Sequence, residues 1–349
     1  MIAIDAMGGD FAPRIPVLGA LHVARQGICV ALYGDEKKII SILDSAEKSW
    51  KKLPITIKHC SETISMFEQP SKAVMRKKDA SLVRAARALE NEDASALVSA
   101  GNSGAVLACG VLIVARVYGV ERPAIGQFIP TKKGSIFCLD LGANVDCKPK
   151  YLEQFAIIGS EYVRLKKGIE NPRVALLSNG VEPYKGSQLV KDSFDLLKSQ
   201  KKINFVGNLE SRYLFDDHAD VLVCDGFAGN ILLKSIEGTA HFVMYWIGKK
   251  MSSFLIGKIL SKLIFPFFCR LRKKNEQRCA GGALLLGVNK PIVLAHGASD
   301  LSSFIKAIEF AYDIEQKDFV AKLNKRLELQ LGGRKKIAIV RKVKSLFKS

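Results

Sequence analysis

Short apolar runs rich in β-branched residues recur along the chain, and each is closed by a turn of Gly, Asn or Asp. Met1–Ala6, Ile28–Tyr33, Ile55–His59, Ala94–Val98, Ser135–Leu139, Val174–Leu177, Ile203–Val206 and Val221–Cys224 read as strands. Val221–Cys224, apolar and rich in β-branched residues, reads as a strand buried on both faces. Between the strands, Ile39–Lys48, Ser81–Leu89, the segment from Gly104 onward, Leu152–Leu165 and Gln188–Gln200 have helical spacing. Strand, turn and helix in repetition predict an α/β fold on a largely parallel sheet.

Ala94–Ala115 carries no charge, but the turn Ser99-Ala-Gly-Asn-Ser-Gly104 divides it into a strand and a buried helix rather than a membrane span. Gly281–His296 reads as a helix or loop followed by a strand at Ile292–Ala295 that returns to the sheet. Phe304–Leu329 is helical again. The expected organisation is one α/β domain over 1–332, interrupted by an amphipathic helical segment at about 240–278, with a tail at 333–349.

In doubly wound sheets ligands sit beyond the carboxyl ends of the strands. Five such ends carry Gly with Asn or Asp, at positions 8–10, 101–104, 140–144, 178–180 and 225–230. Any one of them is an ordinary turn; together they predict a polar cleft suited to an anion. The stretch Asp220–Lys234 is the most informative. Its strand ends at Asp225, Gly226 and Gly229 permit close backbone approach, and Asn230 precedes Ile231, Leu232 and Leu233 where a helix cap is expected. A glycine turn entering a helix supplies backbone N–H groups to a phosphate.

The formal charge of +19 is concentrated. Lys249–Lys274 holds eight Lys/Arg and Gly333–Ser349 seven, neither with an acid. The eight cysteines form no Cys-x-x-Cys pair and no zinc spacing; several sit inside apolar runs and read as small hydrophobes, and a reducing cytoplasm is expected. Asp5 and Asp10 stand where a basic, apolar leader would lie, so no signal peptide is expected.

No Gly-x-x-x-x-Gly-Lys-Ser/Thr, Gly-x-Gly-x-x-Gly or Gly-x-Ser-x-Gly occurs, so no P-loop, dinucleotide fingerprint or nucleophile elbow is indicated. No metal and no cofactor are predicted. Aromatic residues are 8% and are not interleaved with basic ones, so no nucleic-acid partner is expected. Backbone amides, Asn, Asp and a few Lys remain, an inventory for holding phosphate and an oxyanion.

Ile2–Pro13, Pro70–Leu82, Ser99–Ala105, Leu139–Cys147, Asn171–Leu177, Asp220–Lys234, Gly281–Gly287 and His296-Gly297 together resemble the bacterial phosphate acyltransferase family, which moves a fatty acyl chain from acyl carrier protein to inorganic phosphate. The resemblance implies a three-layer α/β/α fold like that of the isocitrate and isopropylmalate dehydrogenases, a homodimer, no metal, and a role early in phospholipid synthesis. It implies catalytic roles for Lys185 and Asn230, with Gly8, Gly9, Asp10, Asn102, Ser103, Gly104, Asp140, Asn144, Asp225, Gly226, Gly229, Gly281, Gly282 and His296 binding substrate. Ser103 stands where the family has Thr, Ala280 replaces an aromatic residue, the turn before Lys185 departs from the family's, and the tail beyond Gly333 is longer. On the residues alone, Asn230 is equally a helix cap and Lys185 a solvated lysine. A phosphotransacetylase acting on short acyl-coenzyme A is the alternative enzyme, and a non-catalytic basic lipid- or nucleic-acid-binding protein the alternative of another class.

Acyl carrier proteins are acidic, and Arg76, Lys77 and Lys78 form a candidate docking cluster for one. Ile256, Ile259, Leu260, Leu263 and Phe267 fall on one helical face with Lys258 and Lys262 opposite, the pattern of an interfacial helix on anionic lipid. The expected location is cytoplasmic, peripheral to the inner face of the cell membrane, where a membrane acyltransferase that uses acyl phosphate takes the product.

Overall fold

The computed structural model describes residues 1–252 and 282–331. Ile256, Ile259, Leu260, Leu263, Phe267 and Gly281, together with the basic tail, lie outside the described residues.

Among the described residues, eleven strands form one sheet in the order β3-β2-β1-β4-β11-β10-β5-β6-β9-β7-β8. Their ranges are β1 Ile2–Asp5, β2 Val30–Gly34, β3 Ile55–His59, β4 Ala96–Ser99, β5 Ala124–Pro130, β6 Ser135–Leu139, β7 Arg173–Ser178, β8 Asn204–Glu210, β9 Val221–Val223, β10 Ala283–Leu286 and β11 Ile292–Leu294. Successive side chains in a strand point to opposite faces, and here both are covered. Ile2, Ile4, Val30 and Leu32 enter one core; Ala3, Ala31 and Tyr33 enter the other.

The first face carries α1 (Arg14–Arg25), α2 (Glu36–Ala46), α6 (Pro149–Lys167), α7 (Gln188–Ser199), α9 (Leu301–Gln316) and α10 (Phe319–Leu331). The second carries α3 (Pro70–Arg76), α4 (Ser81–Glu90), α5 (Ser103–Leu112) and the first turns of α8 (Gly226–Ser252). The result is a three-layer α/β/α architecture. Double coverage is why inner strands such as β1, β2 and β9 are buried along their whole length, whereas β3 and β8 at the two ends of the sheet are part-exposed and carry polar residues.

Strand direction differs from the expected pattern. β3, β2, β1, β4 and β11 are mutually parallel, as are β6, β9, β7 and β8. β10 runs antiparallel to both β11 and β5, and β5 antiparallel to β6. These reversals point the two parallel halves in opposite directions, so their carboxyl ends lie on opposite edges of the sheet. The five glycine turns therefore do not line one cleft. Residues 8–10, 101–104 and 296–297 gather at one edge; 140–144, 178–186 and 225–230 belong to the other.

Two further differences are local. Ala283–Leu286 is a strand, not a helix or loop, because it pairs on both sides inside the sheet. α1 covers residues to which the sequence pattern assigns no helix; Pro16 lies in its first turn, where a missing N–H costs little.

Candidate active site

At the first edge the organising group is Asp5, 2% exposed. Its carboxylate accepts from Ser81 Oγ at 2.6 Å, Ser99 Oγ at 2.7 Å and Met7 N at 3.3 Å. Burial raises its pKa, and the two serine bonds oppose that by favouring the charged form. Ser99 Oγ in turn accepts from Gly101 N at 3.0 Å, so one carboxylate fixes the turn after β4 as well as its own. A side chain on Gly8 would stand 2.5 Å from Asp5 Oδ2, which is why the turn after β1 needs a glycine. Asp10 N donates to Gly297 O at 2.9 Å, joining the β1 and β11 turns.

Asn102 closes this cluster. Its Oδ1 accepts from Ala105 N at 3.2 Å and caps α5; its Nδ2 reaches the carbonyls of Ser65, Met66 and Glu68 at 3.2–3.3 Å. Both ends of the carboxamide are thus engaged by the protein itself. The amides of Ser103 and Gly104, at the start of α5, carry no hydrogen bond among the described residues. His296 Nδ1 accepts from Ala298 N at 3.2 Å, and Nε2 lies 3.6 Å from Glu237 Oε2 on α8. Gly282 sits against Leu294 O in the β10–β11 pairing rather than in a cleft.

At the second edge the organising group is Asp140, fully buried. Oδ1 accepts from the amides of Ile125 at 3.0 Å, Gly142 at 3.2 Å and Ala143 at 3.0 Å; Oδ2 accepts from Asn144 N at 2.7 Å and Asn144 Nδ2 at 2.8 Å. Asn144 Nδ2 also donates to Pro123 O at 2.7 Å. Burial raises the Asp140 pKa against the pull of these N–H bonds. Asp140 and Asn144, expected to touch substrate, are committed to each other and to the backbone.

The turn into α8 also differs from expectation. Asp225 Oδ1 accepts from Phe227 N at 3.0 Å and Ala228 N at 2.9 Å, making Asp225 the residue that caps the helix. α8 consequently begins at Gly226, and Asn230 is inside it, not at its cap. The expected open N–H groups are spent: Gly226 N donates to Asn144 O at 2.7 Å and Gly229 N to Asp225 O at 2.9 Å. Gly229 is required because a side chain there would meet Asp140 O at 1.9 Å.

What remains open at this edge is side-chain chemistry. The half-buried Asn230 carboxamide has no hydrogen-bond partner among the described residues and packs beside the 140–144 turn near Gly142. Lys185 is exposed on the turn that follows β7, the neighbour of β9; its ammonium lies 5.8 Å from the Tyr184 ring and makes no ion pair among the described residues. The turn is held by Asn208 Nδ2 donating to Glu182 O at 2.9 Å. Nearby thiols are poor nucleophiles, since burial pushes Cys147 up to about 12 and Cys224 well above its ordinary value.

The two clusters are joined by α8. From Asn230 to Glu237, beside His296, is seven residues of helix, or about 10 Å. Sequence reading missed Ser81 and Ser99 as partners of Asp5; Asp5 and Ser99, polar residues closing otherwise apolar strands, were a signal, whereas Ser81 opens α4 and carried none. Of the predicted docking residues, Arg76 and Lys78 are exposed, whereas Lys77 Nζ is bound by Glu68 Oε1 at 2.8 Å and Thr63 O at 2.7 Å.

A family profile described as "Fatty acid synthesis protein" matches residues 1–322. The phosphate acyltransferase of Ligilactobacillus salivarius is 44% identical over 327 residues, covering 92% of this chain and 96% of that protein. That of Geotalea daltonii is 43% identical over 317 residues, covering 90% and 91%. Among solved structures, a phosphotransacetylase from Streptococcus pyogenes superposes with a TM-score of 0.58 at 15% identity, covering 90% of this chain and 94% of that one. A branched-chain phosphotransacylase from Enterococcus faecalis gives 0.56 at 16% identity, covering 90% and 99%. At those identities the structures show a shared fold.

Proposed function

Because this chain belongs to the fatty acid synthesis protein family, whose relatives include phosphate acyltransferases, we infer that it is an acyltransferase that moves a fatty acyl group from acyl carrier protein to inorganic phosphate. A phosphate oxygen attacks the thioester carbonyl, the C–O bond forms, and the C–S bond breaks. The proton carried by hydrogen phosphate ends on the departing sulfur. Products are an acyl phosphate and the free carrier thiol.

Phosphate is already nucleophilic, so the protein's contribution is placement and charge stabilisation. Asn230 Nδ2 donates to the carbonyl oxygen as it becomes negative, and Lys185 offsets charge on phosphate or on the departing sulfur. Asp140, Asn144 and Asp225 act one step back, holding the turn and the helix start that carry Asn230. Gly8, Gly9, Asp10 and the open amides of Ser103 and Gly104 receive the carrier-side end of the thioester substrate. The observation that carries this assignment is the unpartnered Asn230 carboxamide beside a turn locked by five N–H bonds to Asp140. A donor free of protein partners and backed by a rigid turn needs no reorganisation when charge develops.

Homodimerisation and peripheral attachment to an anionic membrane belong to the same reading. Phe242, Val243, Met244 and Tyr245 on α8 are 44–66% exposed, an apolar run leading toward the basic amphipathic segment. No helix among the described residues is long and apolar enough to cross a membrane. An acyl phosphate formed there passes directly to a membrane acyltransferase. The test is to mix the protein with acyl-acyl carrier protein and labelled phosphate. Acyl phosphate and free thiol should appear in equal amounts; thiol release that is independent of phosphate sinks the assignment.

A further inference from the structure

The structure assigns a docking face for the acidic carrier protein to the loop and helix of residues 65–78, with Phe67 as its apolar anchor; this rests on the acyl-carrier reading above. Phe67 is 99% exposed, and Met66 and Met75 are about half exposed. Large apolar side chains displayed together in this way mark interaction surfaces more often than solvent-facing loops. The loop is not loose: Asn102 Nδ2 holds three of its carbonyls, Ser65 N donates to Glu68 Oε1 at 2.8 Å, and Lys77 ties Glu68 back to Thr63. A fixed aromatic residue loses little entropy on being covered.

Charge selects the occupant. Lys72, Met75 and Arg76 stand at i, i+3 and i+4 on the outward side of α3, whose inward side buries Ala73 and Val74. Lys72, Arg76 and Lys78 have no ion-pair partner among the described residues; of the two nearby acids, Glu68 is neutralised by Lys77 at 2.8 Å and Glu62 accepts from Asp79 N at 3.2 Å. Beside them a concavity of about 450 Å³ opens between Glu62, Glu68, Lys72 and Arg76. Apolar anchors ringed by unpaired cations fit an acidic surface with an apolar spot, the chemistry of an acyl carrier protein.

The face is also wired to the site. Asn102, which grips the loop, is the cap of α5, and a side chain on Gly104 would collide with Pro70 at 2.6 Å. A carrier seated on Phe67 therefore lies against the open amides of Ser103 and Gly104. Those amides share their edge of the sheet with His296, from which α8 leads back to Asn230.

The experiment compares two thioesters at saturating phosphate: acyl-acyl carrier protein, and acyl-pantetheine, which has the arm but no protein. Phe67→Ser and the pair Lys72→Glu/Arg76→Glu should each raise KM for the carrier substrate about tenfold with kcat unchanged, and leave acyl-pantetheine turnover within about twofold. Salt should raise the wild-type carrier KM and have less effect on the charge-reversed pair. An unchanged carrier KM, or equal changes with both thioesters, overturns the assignment. Loss of binding to vesicles of anionic phospholipid with carrier KM intact assigns the face to the membrane and overturns it equally. Should the wild type turn over neither thioester with phosphate, the acyltransfer reading fails on its own. Titration of isotope-labelled carrier then decides the face: shifts abolished in the charge-reversed pair support it, and shifts retained there refute it.

Discussion

Two buried carboxylates end strands on opposite edges of one sheet, and they spend themselves differently. Asp140 collects five N–H bonds, four of them from residues 142–144 directly after it. Asp5 collects two hydroxyls from Ser81 and Ser99, 76 and 94 residues away, and a single backbone N–H. Each arrangement offsets the large cost of burying a carboxylate. The consequence for chemistry is opposite. Asp140 and Asp225 between them take the amides of residues 142–144, 227 and 228, leaving Asn230 and Lys185 as the side chains available beside these turns. Asp5 organises its turns through side chains, and the amides at the start of α5 stay open. One edge thus offers side-chain donors and the other backbone donors, with about 10 Å of α8 between them.

The most damaging way to break this contrast is Asp140→Ala. It strands the donors of residues 125 and 142–144 in a buried site, and each unsatisfied buried group costs roughly 1–3 kcal/mol. Denaturant unfolding should show a loss of more than about 3 kcal/mol, with activity falling alongside. A loss below about 1 kcal/mol would mean that the turn stands without its carboxylate.

Next in size is the exchange between Asn230 and Asp225. Asn230→Ala should lower kcat about a hundredfold through the lost oxyanion donor, with Tm unchanged. Asp225→Ala should cost about 1 kcal/mol of stability through the lost cap. If Asn230→Ala lowers Tm and spares kcat, the two residues have been assigned the wrong way round.

Much of the fold is legible in the sequence. Ile55–His59 and Ser135–Leu139 agree with the observed strands residue for residue: the second is an apolar run buried inside the sheet, and the first alternates β-branched Ile with polar residues, as a part-exposed edge strand does. Strand direction is not legible. Ala283–Leu286 is four residues beside glycines, and only its partners β5 and β11 make it a strand that reverses the sheet. For the candidate site, the sequence offers residue types, and the local bonding that separates them is not in it. That Asp225 caps α8 and Asn230 does not depends on which carboxylate reaches Phe227 N and Ala228 N. Lys77 reads like Arg76 and Lys78, yet it is bound by Glu68 and Thr63 across a loop whose path the sequence does not specify. Ser81 and Ser99 meet Asp5 only once three separate elements have packed.

The smallest expected effect tests the Asp5 side of the contrast by pH. Burial raises the folded pKa of Asp5 above its ordinary value, with the serine bonds opposing. For a raised carboxyl the protonated form is favoured in the folded state, so its stabilising contribution is complete below the unfolded pKa. That contribution is lost as pH rises through the folded pKa, where a buried group must ionise. Asp5→Asn removes this proton and keeps the shape: Asn Oδ1 still accepts from Ser81, and Nδ2 donates to Ser99 Oγ, which retains a lone pair for Gly101 N. The variant should differ from wild type by about 1 kcal/mol or less near neutral pH. The gap should move in favour of wild type as pH falls toward the unfolded carboxyl range, because only wild type regains its protonated, buried form. The thiols of Cys60 and Cys109, which feel the Asp5 charge, stay protonated throughout this window, with pKa values of about 11 and about 12. Denaturant unfolding of both proteins at several pH values reads the gap directly. A gap that does not change with pH would mean that Asp5 titrates alike folded and unfolded, with the serine bonds balancing burial. The hydroxyl-based strut would then hold its turns as cheaply as the amide-based one holds the turn beside Asn230.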